Sequence, residues 1–389
     1  MVDEDLTVMS LKAPAQQKFL SECSSIGAVL DDLRSNSVFL VADAIAYEAS
    51  GASKILEPIL QSFIEDRFSE FDPNPKWSEV IACADAIRKH TPDTVLAVGG
   101  GTAIDIAKLA NWIAAQPVSP ETILECRLAD PNPAPPMIAI PTTAGTGSEA
   151  THFSVVYVDG KKHSVAYEQM RPDVVIVDSA LTATLPPTVT AHSGLDALCQ
   201  AIESIWSVRS TERSIMYASE ALELTWNNLD TAVNRPTPES RKAMAIGAYR
   251  AGQAIDLSKT TAPHALSYTL TSSLDIPHGV AVALTLGPVL VYNARVNEAD
   301  CEDPRGPEAV KERLAIICKT MGASSPEEAD VLFRKLVGSV NCPSTLSSMD
   351  IEGTALLDQI CSQVNSERLS NNPRRLTPVS IRELLETIY

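Results

Sequence analysis

Short, continuous apolar runs alternate with helical patterns through the first half of the chain. SVFLVAD (37–43), DTVLAVGGG (93–101), PMIAIPTT (136–143) and DVVIVDS (173–179) are β-branched runs that stop at an acid, glycines or hydroxyl residues. Runs without polar alternation suit strands of a parallel sheet covered on both faces. Between them, KWSEVIACADAIRKH (76–90) has helical periodicity. FSVVYVDGKKHSVAY (153–167) alternates around Asp159-Gly160, a hairpin signal. After Pro186-Pro187 the texture becomes helical. Thr237-Pro238 and Thr377-Pro378 place an N-cap before a proline at the first helical position, and Ser325-Pro326-Glu327-Glu328 reads as a capping box. The pattern predicts an α/β domain over 1–187 and an all-helical domain over 188–389.

Composition narrows the class. The net charge of −18 argues against non-specific nucleic-acid binding, which needs a basic surface. It leaves room for a locally basic pocket that takes a small anion. Eight cysteines are scattered with no CxxC pair, which predicts reduced thiols in a reducing compartment. The acidic MVDEDLTVMS start lacks the pattern of a secretory leader, and no apolar run reaches about 18 residues. A cytoplasmic protein that meets neither membrane nor nucleic acid is expected.

Two glycine-rich turns carry the first chemistry. In AVGGGTAIDIAK (97–108) a strand passes through Gly99, Gly100 and Gly101 into a helix that opens with Thr102. Glycines let backbone approach a ligand closely, and a helix N-terminus offers free N–H groups to a phosphate. PTTAGTGSE (141–149) also follows a strand. Two such loops at strand carboxyl ends predict a nucleotide cleft. Asp43, at the end of an earlier strand, could accept from ribose hydroxyls and repel a 2′-phosphate, favouring NAD over NADP; a simple N-cap role is open as well.

The second chemistry lies in HSGLDALCQAIES (192–204). Asp196 and Gln200 are four residues apart and share a helix face. His264 and His278, two of six histidines, lie in TTAPHALSYTLTSSLDIPHG (260–279). An Asp/His/His set suits a divalent transition metal.

GGGTAIDIAK, PTTAGTGSE, PDVVIVDSALTATLPP (172–187), GLDALCQAIE (194–203) and the His264/His278 pair resemble, in order and spacing, the iron-containing (group III) alcohol dehydrogenase family. The resemblance implies a dehydroquinate-synthase-like fold with the active site between an NAD(P)-binding domain and a metal-binding helical domain. It implies Fe2+ as the expected ion, with Zn2+ or Mn2+ as alternatives, and a homodimer. By the same analogy Thr142, Thr143, Thr146 and Lys162 line the cofactor, Asp105 lies close to the pyrophosphate, and Leu181 packs near adenine. The family's usual histidine four residues after the metal aspartate is Gln200 here. Weak ligation, a bridge through water and contact with substrate are all open to it. Where many members have a second histidine, this chain has Tyr268, which can relay a proton or simply pack.

IESIWSVRSTERS (202–214) and DLSKTTAPHALSYTL (256–270) are further similar to the phosphonoacetaldehyde reductase branch, whose product is 2-hydroxyethylphosphonate. That likeness implies phosphonate natural-product (antibiotic) biosynthesis. It makes Arg209, Arg213 and Lys259 candidates for binding the substrate anion, since arginine forks pair well with a phosphonate. The expected chemistry is hydride transfer between a nicotinamide and an aldehyde. A lyase of the same fold, a dehydrogenase of another small alcohol or diol, and a non-catalytic NAD-binding protein without metal are the alternatives.

Overall fold

The computed structural model describes residues 17–128, 131–349, 360–361, 364 and 369–389. Six parallel strands form one sheet: β1 (Lys18–Leu20), β2 (Val38–Ala42), β3 (Ile64–Phe68), β4 (Thr94–Gly99), β5 (Met137–Pro141) and β8 (Val174–Ile176), in the spatial order β1-β8-β5-β4-β2-β3. Their side chains divide between two cores. Phe39, Val41, Val95, Ala97, Met137 and Ala139 face one side of the sheet. There they meet helices Trp77–His90 and Gly101–Ala115. Val38, Leu40, Leu96, Val98, Ile138 and Ile140 face the other, under helices Ile26–Leu33 and Ala52–Leu60. Burial on both faces is why the four predicted strands read as unbroken apolar runs.

The antiparallel pair β6 (Phe153–Val158) and β7 (Lys161–Ala166) stands apart from that sheet, closed by Asp159 and Gly160, both at positive φ. This is the predicted hairpin, with φ above zero at both turn residues as a type I′ turn requires.

From Pro187 on, every element among the described residues is helical. We label the helices that matter to the site αA (Pro187–Trp206), αB (Glu212–Asn234), αC (Pro238–Ser258), αD (Ala262–Leu274) and αE (His278–Ala294). αA is the axis of this half, buried almost throughout its length in a core that αB, αC, αD and αE share. Thr237, Ser325 and Thr377 cap their helices through side-chain oxygens, as the sequence predicts. Glu328 departs from the expected box: its carboxylate accepts from the Ser324 N–H, one residue earlier. No helix among the described residues is long and apolar enough to cross a membrane, and all eight cysteines are free thiols.

Candidate metal centre and nucleotide cleft

The carboxyl ends of β2, β4 and β5 are adjacent and carry Asp43, the Gly99–Gly101 turn and the Thr142–Glu149 loop. Gly99 has φ +155, and a Cβ there would lie 2.7 Å from the Ala103 Cβ, so the turn into the helix tolerates no side chain. Gly100 packs beside Thr143 and Gly101 beside Thr146, while the Thr142 N–H donates to the Gly99 carbonyl (2.9 Å). The two glycine-rich loops therefore form one surface at the helix N-terminus. Asp43 is the N-cap of the helix after β2. One of its carboxylate oxygens accepts from the Ala46 N–H (2.7 Å), so capping and cofactor contact are compatible roles for its two oxygens. Asn74, which no sequence motif marks, donates its backbone N–H to Thr102 Oγ1 (3.3 Å) from a positive-φ turn.

Two expected cofactor residues have side chains turned into the protein. Asp105 lies one turn into its helix on the inward side. There it accepts from Ser148 Oγ and the Val155 N–H (3.1 Å), pinning the second loop and the hairpin. Leu181 is 1% exposed and belongs to the core under the sheet. It is turned inward by a short 3-10 helix that Asp178 caps. Lys162, on β7, holds its ammonium 4.2 Å from the centre of the Tyr268 ring.

Asp196, His264 and His278 do converge. One ligand atom from each lies within 4.8 Å of the others. Asp196 Oδ1 is 3.3 Å from His264 Nε2 and 3.9 Å from His278 Nε2. Three helices bring them together: Asp196 is mid-αA, His264 is in the first turn of αD, and His278 opens αE. The last placement depends on close approach, since a Cβ on Gly279 would lie 2.0 Å from the His192 carbonyl of αA. Tyr268 stacks on the His278 ring (6.1 Å, 8° between planes).

Glu203 completes the arrangement and was missed by the sequence reading. It lies seven residues after Asp196 on the same face of αA, fully buried, and its Oε1 accepts a hydrogen bond from His264 Nδ1. Its Oε2 accepts from the Thr261 N–H (2.6 Å) and Oγ1 (2.8 Å), and Trp206 Nε1 donates to that hydroxyl (2.8 Å). The i, i+4, i+7 spacing of Asp196, Gln200 and Glu203 was the available signal. A carboxylate on Nδ1 fixes the tautomer so that Nε2 presents its lone pair to an ion.

Two buried carboxylates dominate the charges, and a bound ion would take the place of the proton they hold on His264. Burial opposes charge on His264, but Glu203 and then Asp196 outweigh it and lift the imidazole to about 10. Burial and then the Lys162 ammonium push His278 down to about 3. Burial also works against the Asp196 carboxylate, yet its histidine neighbours hold it below the usual range. Asp196 Oδ1 and Gln200 Oε1 are buried without a hydrogen-bond partner. Buried polar atoms are normally satisfied, and two orphaned oxygens beside two imidazoles fit a divalent ion. Replacing Glu203 with Gln is expected to weaken metal affinity about 10–100-fold, read by titrating a chelator-stripped protein. Unchanged affinity would remove Glu203 from the centre.

The cations divide. Arg209 follows αA, exposed between the buried Ser207 and Ser210, and Lys259 ends αC with φ +59. Asn371 ties the two loops together. Its Oδ1 accepts from the Arg209 N–H (3.1 Å) and Ser207 Oγ (3.0 Å), while its Nδ2 donates to the carbonyls flanking Lys259, Ser258 (2.9 Å) and Thr260 (2.8 Å). The Lys259 ammonium lies 3.2 Å from His152 Nε2 and 4.5 Å from the Phe153 ring centre. Arg213 is exposed, donating to Tyr217 Oη (3.2 Å) and stacking on that ring along αB.

Two family models match the chain. "Iron-containing alcohol dehydrogenase" covers residues 19–179, and "Fe-containing alcohol dehydrogenase family, C-terminal" covers 190–389. A phosphonoacetaldehyde reductase of Streptomyces viridochromogenes is 34% identical over 315 residues, 79% of this chain and 78% of that protein. A sulfoacetaldehyde reductase of Bilophila wadsworthia is 29% identical over 92% of this chain and 93% of its own length. Among solved structures, a sulfoacetaldehyde reductase from Bifidobacterium kashiwanohense in complex with NAD+ superposes with a TM-score of 0.85, at 29% identity and 97% coverage of both chains. With a parallel nucleotide-binding sheet, an Asp/His/His centre on three helices and both family models in register, the chain belongs to the iron-containing alcohol dehydrogenase family, oxidoreductases acting on CH–OH groups.

Proposed function

We propose that the protein reduces a small aldehyde bearing an anionic group, phosphonoacetaldehyde before others, to its alcohol with NADH. The observation that carries the anionic substrate is the pair of loops holding Arg209 and Lys259. They leave αA and αC next to the helices of the metal centre and are braced by one side chain, Asn371. Lys259 is five residues before His264, and Thr261 between them is bonded to Glu203. A non-glycine residue at φ +59 costs about 1–3 kcal/mol and persists where its surroundings over-determine it, as at ligand clamps. Asp43 favours NADH over NADPH by repelling a 2′-phosphate. The relatives that reduce phosphonoacetaldehyde and sulfoacetaldehyde support an anionic aldehyde.

Asp196, His264 and His278 would hold the metal, Fe2+ first, and the nicotinamide would supply the hydride; the bound ion acts as a Lewis acid on the aldehyde. The chain's own residues orient these parts. Glu203 keeps His264 in one tautomer. Tyr268, stacked on His278 beside the Lys162 ammonium, is placed to hold at Oη the proton that the product hydroxyl needs. Lys259 and Arg209 bind the anionic end and so direct the carbonyl toward the metal centre.

NADH oxidation by metal-reconstituted protein tests this, with phosphonoacetaldehyde and sulfoacetaldehyde set against acetaldehyde and lactaldehyde, and NADPH set against NADH. Lys259→Met is expected to lower kcat/KM for the phosphonate about 10–100-fold, the worth of a charge-assisted contact, and to change the uncharged aldehydes far less. The pH profile has a defined sign. Burial, against the pull of Asp256 and Glu168 and with Arg209 and Arg171 nearby, lowers the Lys259 ammonium to about 8. It is charged below that pH and neutral above, so KM for the phosphonate should rise as pH passes through about 8. Equal rates with charged and uncharged aldehydes would leave the family standing and remove Arg209, Arg213 and Lys259 from the substrate site.

A further inference from the structure

Gln200 has an amide whose orientation is set from one side. Its Nε2 donates to Asp196 Oδ2 (3.1 Å) and to the carbonyl of Thr146 (3.3 Å) in the loop after β5. Both partners are acceptors, so the nitrogen must face them and the oxygen is the atom left over. That oxygen, Oε1, is buried and has no hydrogen-bond partner. It sits on the same amide, about 2.3 Å from a nitrogen already bonded to the metal-site carboxylate. The other carboxylate oxygen, Asp196 Oδ1, is likewise buried without a partner and is the one nearest both histidines.

We infer that Gln200 is a fourth protein donor to the metal through Oε1, and that the two-nitrogen, two-oxygen set it completes reduces the preference for Zn2+ over Mn2+. Imidazole suits zinc and iron, whereas carbonyl and carboxylate oxygen suit harder ions such as manganese. The amide does a second thing that an acceptor-only side chain cannot. By donating to Asp196 Oδ2 it holds that carboxylate to one free oxygen. By donating to Thr146 it fastens the metal helix to the nucleotide loop.

The inference rests on the metal-centre reading, and a binding experiment separates the two. Chelator-stripped protein is titrated with Mn2+, followed by the electron paramagnetic resonance signal of the free ion, and with Zn2+ in competition with a chromophoric chelator. Gln200→His, which replaces the oxygen donor with nitrogen, should raise the ratio of zinc to manganese affinity about tenfold or more, and Gln200→Leu should weaken both ions about tenfold. An unchanged ratio in Gln200→His, or wild-type affinities in Gln200→Leu, would overturn the assignment. His264→Ala is the control, since wild-type affinity in that variant would sink the metal centre itself. If the variants misfold, Mn2+-loaded wild type with δ-13C-labelled glutamine decides. A 13C coupling at bonding distance is expected, and its absence overturns the inference.

Discussion

His264→Ala should abolish turnover, by about 10³-fold or more, together with metal retention. The imidazole supplies one of two nitrogen donors, and its removal does more than subtract a bond. Glu203 is fully buried, with Oε1 committed to His264 Nδ1 and Oε2 to Thr261. Without the imidazole, one oxygen of a buried carboxylate loses its partner while Asp196 loses the ring nearest to Oδ1 and the ion that ring helps to hold. Two carboxylates on one face of αA are then left to repel each other in a dry site, where breaking a buried charged pair costs about 3–5 kcal/mol. Three to four kcal/mol of transition-state stabilisation is about 10²–10³ in rate, and losing the ion as well removes the polarisation of the carbonyl. Metal content by elemental analysis and single-turnover rates with NADH check both parts. Full activity with stoichiometric metal in this variant would refute the site.

The sequence made the interior of this fold legible and its edges obscure. β2, β4, β5 and β8 are buried on both faces, so their apolar runs stand out against the helical periodicity around them. β1 (KFL) and β3 (IEDRF) were missed, because one is three residues long and the other carries three charges. At the sheet's edges, pairing with a distant strand makes the strand, and no local pattern records that. The same division holds in the site. Asp196, His264 and His278 were recognisable from their types and from the family likeness. Asp105 and Leu181 belong to the matched motifs, but their side chains turn into the protein, and a motif match carries no direction. Glu203 and Asn371 act through other residues. Glu203 could have been found from helical spacing. Asn371 could not, since it lies more than 160 residues from the Ser207–Arg209 loop it braces.

Lys108→Met should cost the folded state about 3–5 kcal/mol and lower Tm by on the order of 10 °C while leaving the metal ligands untouched. Lys108 follows the glycine turn by two helical turns and is among the largest fully buried side chains in the chain. Burial pulls its ammonium below the ordinary lysine range, with Asp105 opposing that pull. Its three donors are spent on the carbonyls of Ser148 (2.8 Å) and Phe153 and on Thr151 Oγ1 (3.0 Å), with Asp105 Oδ1 at 3.4 Å. One ammonium thus gathers the end of the second nucleotide loop and the start of β6 onto the helix that opens the first loop. Methionine matches the length of the stem and fills the space, so the loss is electrostatic: the carbonyls of Ser148 and Phe153 keep only their bonds from Thr151, and Asp105 is buried without its cation. Because Asp105 also holds Ser148 and Val155, the second loop should loosen, and NADH affinity should fall along with stability. Thermal unfolding and NADH titration measure the two effects. A Tm within 2 °C of wild type would mean that the buried ammonium stabilises nothing that packing alone does not, the outcome seen when a buried ion pair is replaced whole and not broken on one side.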